Sequence, residues 1–364
     1  MTNACAANTS SALQALATRV LETEQWPLLE HLYEQVFGHV LPRELTAWKY
    51  APGRGLSVAV LDIRDATKPQ ALAHCGLMFR DLLVQGRAAR AAQITDLMVA
   101  PSARAGLARG GSPFAKAVAL AFEQLGGPAN AGNPERIVYG FPSGRAMRLG
   151  ERLHLFREVD QVHELHWAPR PGPLPARLDG PDSAAIVDAL WETMRRDLGG
   201  SVVGVRDAQW FLPRYLEHPT RSYQVHVVRS RWWGYPQAVL ATQTTAQGLE
   251  LSDWVAPLRH TAMLLRAARA LAAHQRAKLL HGWMTRRHLA LMAPEAQAVS
   301  ATSSMAAVAT RAAPRFRVIS ETVPFRGFGS RKCERRPADG LARHRHVLLS
   351  HRRPTKRNRL SFLT

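Results

Sequence analysis

The amino-acid sequence predicts an α/β (α+β) protein: two tandem domains, each a mixed central sheet flanked by helices, followed by a disordered basic tail. Three observations carry that expectation. Residues 93–122, QITDLMVAPSARAGLARGGSPFAKAVALAF, read as a strand (94–99), a turn rich in glycine and arginine (101–111), and a helix opened by Ser112 as N-cap with Pro113 in its first turn. A faint repeat follows: ITDLMVAP at 94–101 is matched by LSDWVAP at 251–257, and YGFPS at 139–143 by HGWMT at 281–285, each pair separated by a helical pattern. Between the copies, APRPGPLPA at 168–176 places four prolines in nine residues, a stiff connector that suits a domain boundary. The expected division is 1–167, a linker at 168–181, a second domain at 182–293 and the tail at 294–364.

Taken in order, Leu13, Leu16, Val20 and Leu21 follow helical spacing. Leu28, Leu29, Leu32, Tyr33, Val36 and Phe37 form a second helix after Pro27, closed by Gly38. Residues 48–55, WKYAPGRG, read as a loop leading to strands at 56–61 and 71–79 with their turn at 65–70. A short segment at 82–84 and a turn at Gln85 and Gly86 precede the central strand. Phe114, Val118, Ala121, Phe122 and Leu125 give the following helix an apolar stripe. A strand at 137–141, a basic helix at 145–153 and an extended run to Trp167 complete the first half. In the second, Ile186, Val187, Leu190, Trp191, Met194 and Leu198 make an apolar helical face ended by Gly199 and Gly200. Strands at 223–228, 238–242 and 249–255, an alanine-rich helix at 260–274 and a strand at 279–283 follow. After Pro294 the chain turns to AQAVSATSSMAAVATRAA and loses steady apolar periodicity.

Composition narrows the classes. At 364 residues and 46% hydrophobic content, the chain supports two ordered globular domains. A net charge of +20 raises nucleic acid as a partner, but from Glu295 onward 15 Lys and Arg face only 4 Asp and Glu. That leaves the basic tail as the only place open to nucleic acid, and a tail with no binding role is preferred. Cys5, Cys75 and Cys333 lie far apart without CxxC spacing, and His163, His166, His218 and His226 lack ligand spacing, so neither a disulfide framework nor a metal site is expected. The most apolar long stretch, 262–280, contains Arg266, Arg269, Arg276 and Lys278, and no leader opens the chain; a cytoplasmic protein without a membrane span is expected. Trp232 and Trp233, beside Arg229 and Arg231, read either as a platform for a base or as a hairpin that packs its tryptophans, and the second is preferred.

The chemistry concentrates at the strand–turn–helix. Free N–H groups and the positive dipole end at the helix start make a seat for an anion. Gly106, Gly110 and Gly111 let the main chain approach it, and Arg104 and Arg109 add charge where a diphosphate would lie. The second copy, APLRHTAML at 256–264, has no glycine, so only the first half carries the seat.

This strand, glycine-bearing turn, helix start and parallel-looking next strand, with DLMVAP before and YGFPSGRAMRLGERLHLF beyond, resemble the cofactor site of the GNAT acetyltransferase superfamily. The similarity covers about residues 30–167 and, as a degenerate second copy, 182–292, which makes the two domains GNAT-like. The resemblance implies an acyl-CoA-dependent N-acyltransferase, with acetyl-CoA or another acyl-CoA as co-substrate and a small-molecule or peptide amine as acceptor. It implies a pantetheine edge at Leu97, Met98 and Val99, where the strand splays from its neighbour. The implied diphosphate loop comprises Arg104, Gly106, Ala108, Arg109, Gly110, Gly111 and Ser112. Against the family pattern Q/R-x-x-G-x-G/A, Gly106 and Ala108 fill the last two positions, and Ala103 stands where Gln or Arg is usual. In the later helix, aligning Ala146 and Leu149 puts Gly150 where the family commonly has a tyrosine that protonates the departing thiolate.

Acyl transfer to an amine needs a neutral nucleophile, and a lysine-like amine has a pKa of about 10.4, so a base or a proton path is required. Asp96, Tyr139 and His154 are the candidates. Each has a second reading: Asp96 as a partner for loop amides, Tyr139 as core, His154 as a surface turn. The absence of a Ser-His-Asp or Cys-His set fits direct attack on the thioester. Two alternatives stay open: a non-catalytic acyl-CoA-binding or scaffold protein, which Gly150 favours, and a Fem-type aminoacyl transferase using charged tRNA.

Overall fold

The computed structural model describes residues 16–105, 111–125, 136–292, 296 and 298–309. The first half runs β1 (Leu16–Val20), α1 (Trp26–Phe37), α2 (Arg43–Tyr50), β2 (Gly55–Asp62), β3 (Gln70–Val84), β4 (Arg87–Val99), α3 (Pro113–Leu125), β5 (Arg136–Gly140), α4 (Gly144–Arg152) and β6 (Arg157–Trp167). The second runs β7 (Ala176–Arg177), α5 (Ser183–Asp197), β8 (Val202–Gly204), α6 (Ala208–Leu216), β9 (Gln224–Arg229), β10 (Pro236–Thr244), β11 (Leu249–Val255), α7 (Thr261–His274), β12 (Leu280–Thr285) and β13 (Ala298–Ala309).

All of these strands join one mixed sheet, ordered β1-β2-β3-β4-β5-β13-β6-β12-β11-β10-β9-β7, with β8 added to β3. Each half repeats one pattern. β1 to β4 pair antiparallel in sequence and β4 pairs parallel with β5 across α3; β7, β9, β10 and β11 pair antiparallel and β11 pairs parallel with β12 across α7. The two halves thus build the same mixed sheet twice and fuse it through β6 and β12.

Each half covers both faces of its sheet with helices. Phe114, Val118, Ala121 and Leu125 of α3 pack on Val58, Val60, Ala73, Leu77, Ala92 and Val138, each large side chain contributing about 1.5–3 kcal/mol by leaving water. Leu29 and Leu32 of α1 close the opposite face over Ala59, Leu61, Met98 and Ala100. In the second half α7 packs on one face with Leu264, Leu265 and Leu271, and α5 and α6 on the other with Val187, Trp191, Met194 and Phe211.

Several elements differ from expectation. Leu16–Val20 is an edge strand paired with β2, not a helix: the helical spacing of its leucines is outweighed by the free edge of β2, which needs backbone partners. Residues 43–50, partly expected as a loop, form α2. The segments at 71–79 and 82–84 fuse into β3, joined to β4 by a two-residue turn in which Gln85 and Gly86 both take positive φ, 50° and 78°, as the twist of a tight hairpin demands. The tail expected from residue 294 instead begins with β13, which fills the slot between β5 and β6; a run of small residues supplies backbone ladder bonds where few bulky side chains are available. Residues 310–364 lie outside the described residues. Trp232 and Trp233 do not pack within their hairpin: they are 83% and 77% exposed.

Candidate active site

β3 and β4 pair from Val84/Arg87 to Gly76/Thr95, then resume at His74/Met98. Asp96 and Leu97 thus oppose Cys75 alone, a β-bulge, and Asp96 adopts φ +45° there, a conformation Asp tolerates better than most residues. The bulge resets the alternation. Ile94, Leu97 and Val99 all face the α3 core, whereas Met98 joins the core under α1 and Asp96 meets α2.

The Asp96 carboxylate is fully engaged. Lys49 Nζ donates to both of its oxygens at 3.0 Å, and the Tyr50 hydroxyl donates to Oδ2 at 2.6 Å. Burial pushes the Asp96 carboxyl up, but the Lys49 ammonium and the Tyr50 hydroxyl outweigh it and hold the group below the usual carboxylate range. Burial, with Asp96 beside it, raises the Tyr50 phenol well above its ordinary value. Gly76 opens the path: a Cβ there would strike the Tyr50 hydroxyl and sit 2.9 Å from the Thr95 carbonyl. Behind the bulge the fully buried His74 bridges Asp96 O (2.7 Å from Nδ1) and Ser57 Oγ (2.9 Å from Nε2). A carbonyl can only accept, so Nδ1 carries the proton and Nε2 accepts from the serine. Burial lowers the His74 pKa, in keeping with a neutral ring.

Beyond the bulge the sheet opens. β4 and β5 pair only from Arg90/Arg136 to Gln93/Tyr139, so the β5-facing backbone edge of residues 94–99 has no strand partner among the described residues. That edge includes Leu97, Met98 and Val99. It leads to a 3-10 turn, Pro101–Ala103, and to Arg104, whose Nε donates to the Val99 carbonyl at 3.2 Å. Ser112 caps α3, its Oγ accepting from Ala115 N at 3.3 Å, and Gly111 beside it is exposed. Gly106, Ala108, Arg109 and Gly110 lie outside the described residues.

Tyr139 ends the paired part of β5 and donates to Gln93 Oε1 at 3.3 Å. Burial raises its pKa, and Arg80, Arg206 and Arg214 pull it back. His154 is exposed in the turn after α4, at φ +55°, and no described contact links it to Asp96 or Tyr139. Gly150 packs beneath the Phe156 ring, which a Cβ would strike, so that ring fills the space a tyrosine would need. The three candidates are thus separate: Asp96 clamped, Tyr139 at the opening of the sheet, His154 on the surface.

Sequence reading missed the partners. Lys49 and Tyr50 lay in an expected loop, and only the repeat hinted at a counterpart to Asp96. That counterpart is Asp253 on β11, 7% exposed, which accepts from Arg206 Nε at 2.8 Å and from the Tyr215 hydroxyl at 3.0 Å. It too sits at a register shift. In both halves a cation and a tyrosine clamp an aspartate where the central strand is irregular.

The mixed sheet with its splayed parallel pair and bulged central strand is a GNAT-like fold, as its likeness to solved structures shows. A probable N-acyltransferase of unknown function from Enterococcus faecalis superposes with a TM-score of 0.57 at 15% identity, covering 81% of this chain and 72% of that one. A GCN5-related N-acetyltransferase from Kribbella flavida gives 0.56 at 17% identity, covering 80% and 70%. Saccharomyces cerevisiae N-myristoyltransferase with bound myristoyl-CoA gives 0.53 at 8% identity, covering 80% and 82%. The sequence itself matches no family model and no curated protein. Among the described residues no group of side chains could hold a metal ion, and no helix is long and apolar enough to cross a membrane.

Proposed function

We propose that the protein is an acyl-CoA-dependent N-acyltransferase whose coenzyme lies along the first half, between β4 and β5. The observation that carries this reading is the unpaired backbone edge of residues 94–99 running into the Ser112-capped start of α3. A pantetheine arm carries amides that match such an edge, and a diphosphate matches free N–H groups at a helix start. Residues 104–112 are proposed to hold the diphosphate, and acetyl-CoA is the first acyl donor to test.

In the reaction, the acceptor nitrogen attacks the thioester carbonyl, the C–N bond forms, the C–S bond breaks, and the proton lost by the amine balances the one gained by the departing thiolate. Asp96 is poorly suited as the base: its oxygens are occupied and its pKa is lowered. We assign it the task of holding the bulge in shape. Tyr139, half-buried at the opening and without a carboxylate partner among the described residues, is the better candidate for moving the proton.

Calorimetric titration with acetyl-CoA should give one site per chain. Arg104→Ala should weaken binding by about 1.5–3 kcal/mol if its guanidinium meets a phosphate. Tyr139→Phe should lower kcat in a thiol-release assay while leaving coenzyme affinity in place. Coenzyme binding without turnover on any amine would move the reading to an acyl-CoA-binding scaffold. Binding of charged tRNA by a chain truncated after residue 309 would favour the aminoacyl-transferase alternative.

A further inference from the structure

The fold brings Arg80 of β3 beside α6, which carries Arg214 and follows Arg206. Arg80, on β3, lies over the Trp210 ring with its guanidinium carbon 3.5 Å from the centroid, and a Cβ on Gly204 would come within 2.7 Å of its Nη2. Arg214, on α6, lies over Trp48 at 5.1 Å and within 6.0 Å of Tyr215. Arg206, just before α6, pairs with Asp253 and donates Nη1 to the Gly204 carbonyl at 3.0 Å. Among the described residues, neither Arg80 nor Arg214 has an ion pair. Asp207 and Asp188 hold the start of α6, accepting from Trp210 N at 2.9 Å and Ala208 N at 2.7 Å, and form no ion pair with Arg80 or Arg214 among the described residues.

Two of the three guanidiniums lie over indole rings, and only Arg206 is paired with a carboxylate among the described residues. Stacking fixes each guanidinium plane without using its N–H groups. A guanidinium held this way can present the planar fork that an oxyanion needs. Arg80, Arg206 and Arg214 all act on the Tyr139 hydroxyl, so their charge is felt at the last rung before β4 and β5 part. Arg80 pairs with Ala91 on β4, two residues before Gln93.

We infer that Arg80 and Arg214, supported by Arg206, bind an oxyanion on the acyl acceptor, so that the substrate class is an amine carrying a carboxylate or phosphate. This rests on the acyltransferase reading above for the word acceptor, though the site stands on its own geometry. The anion would anchor one end of the substrate beside Tyr139 and leave the amine end to face the opening where the thioester is proposed to lie.

The test is calorimetric titration of full-length protein, with and without saturating coenzyme A, using pairs that differ chiefly in charge: β-alanine against β-alaninamide, and O-phosphoethanolamine against ethanolamine. The anionic member of at least one pair should bind ten times or more tighter than its neutral partner, and the pair that responds identifies carboxylate or phosphate. In Arg80→Met/Arg214→Met that preference should fall to less than threefold while coenzyme affinity is unchanged. Equal binding within both pairs, no binding in either, or a preference that persists in the double variant would overturn the inference. Should that variant fail to fold, a selenate soak of wild-type crystals decides: an anomalous peak between Arg80 and Arg214 supports it, and a peak elsewhere or none overturns it. Coenzyme binding without anion preference sinks this inference alone; anion preference without coenzyme binding leaves the site and sinks the acyltransferase reading.

Discussion

The two halves solve the same backbone problem with different chemistry. Around Asp96 the cation is an ammonium: Lys49 and Asp96 side chains are 4% and 10% exposed. Around Asp253 it is a guanidinium whose side chain is 23% exposed. The turns after the two central strands differ more. After Pro101 the first half has three glycines near a helix start; after Pro257 the second has none, and the Leu258 N–H already donates to the Asp197 carboxylate at 2.8 Å. An internal carboxylate thus meets the turn of the second half, where the first half has glycines in its sequence. Leu289, Leu291 and Met292 also join the core of the second half. Both halves hold a clamped aspartate on the central strand, while the features suited to the proposed coenzyme lie in one of them. A second coenzyme per chain in the titration above would break this contrast.

The largest difference should appear in stability. Asp96→Ala leaves the Lys49 ammonium buried without a partner and should cost about 3–5 kcal/mol of unfolding free energy. Asp253→Ala leaves Arg206 able to turn toward water and should cost about 1–2 kcal/mol. Urea denaturation of both variants at pH 7 measures the contrast, and equal losses would refute the claim that exposure separates the clamps.

Next in size is Gly76→Ala. Its methyl group must displace the Tyr50 hydroxyl or the strand, which should cost about 1–3 kcal/mol. In a Tyr50→Phe background the hydroxyl is gone, so the penalty should shrink. A double-mutant cycle that returns no coupling would show that Gly76 serves something other than the passage of Tyr50 to Asp96.

How much of this was legible in the sequence depends on how local the cause is. The capped helix at 113–125 and the αL glycine at 38 were readable because their causes lie within a few residues. The Asp96 and Asp253 correspondence was visible as a repeat, since both sit in similar strand strings. Lys49 was not, because RELTAWKY spans two helical turns and gives too short a stripe to register. Leu16–Val20 misled because a few apolar residues at helical spacing fit a strand equally well once an edge is available. β13 was unreadable in principle: its small residues say little, and its place is dictated by an opening between β5 and β6 more than 130 residues earlier in the chain. The arginine cluster likewise depends on topology, with β8 pairing to β3 bringing Arg206 and α6 beside Arg80.

The smallest contrast concerns two buried histidines. His74 in the first half and His226 in the second both have pKa values lowered by burial, His226 to about 4 with Arg177 adding to the effect. Each therefore resists protonation when folded, while the unfolded chain takes up a proton near pH 6.5. Stability from this source is complete above pH 6.5 and falls as pH drops below it, for His226 down to about 4, by up to about 1.4 kcal/mol per pH unit for each residue. His74 makes hydrogen bonds to Ser57 and the Asp96 carbonyl, whereas His226 Nδ1 is buried without a partner among the described residues. His226→Gln should accordingly cost little at pH 7 and flatten the acid slope, and His74→Gln should flatten it only after a loss at pH 7. Urea midpoints at pH 7 and pH 5 for both variants separate the cases. A large loss for His226→Gln at pH 7 would mean that its ring is holding the second sheet together through packing that its hydrogen-bond pattern does not reveal.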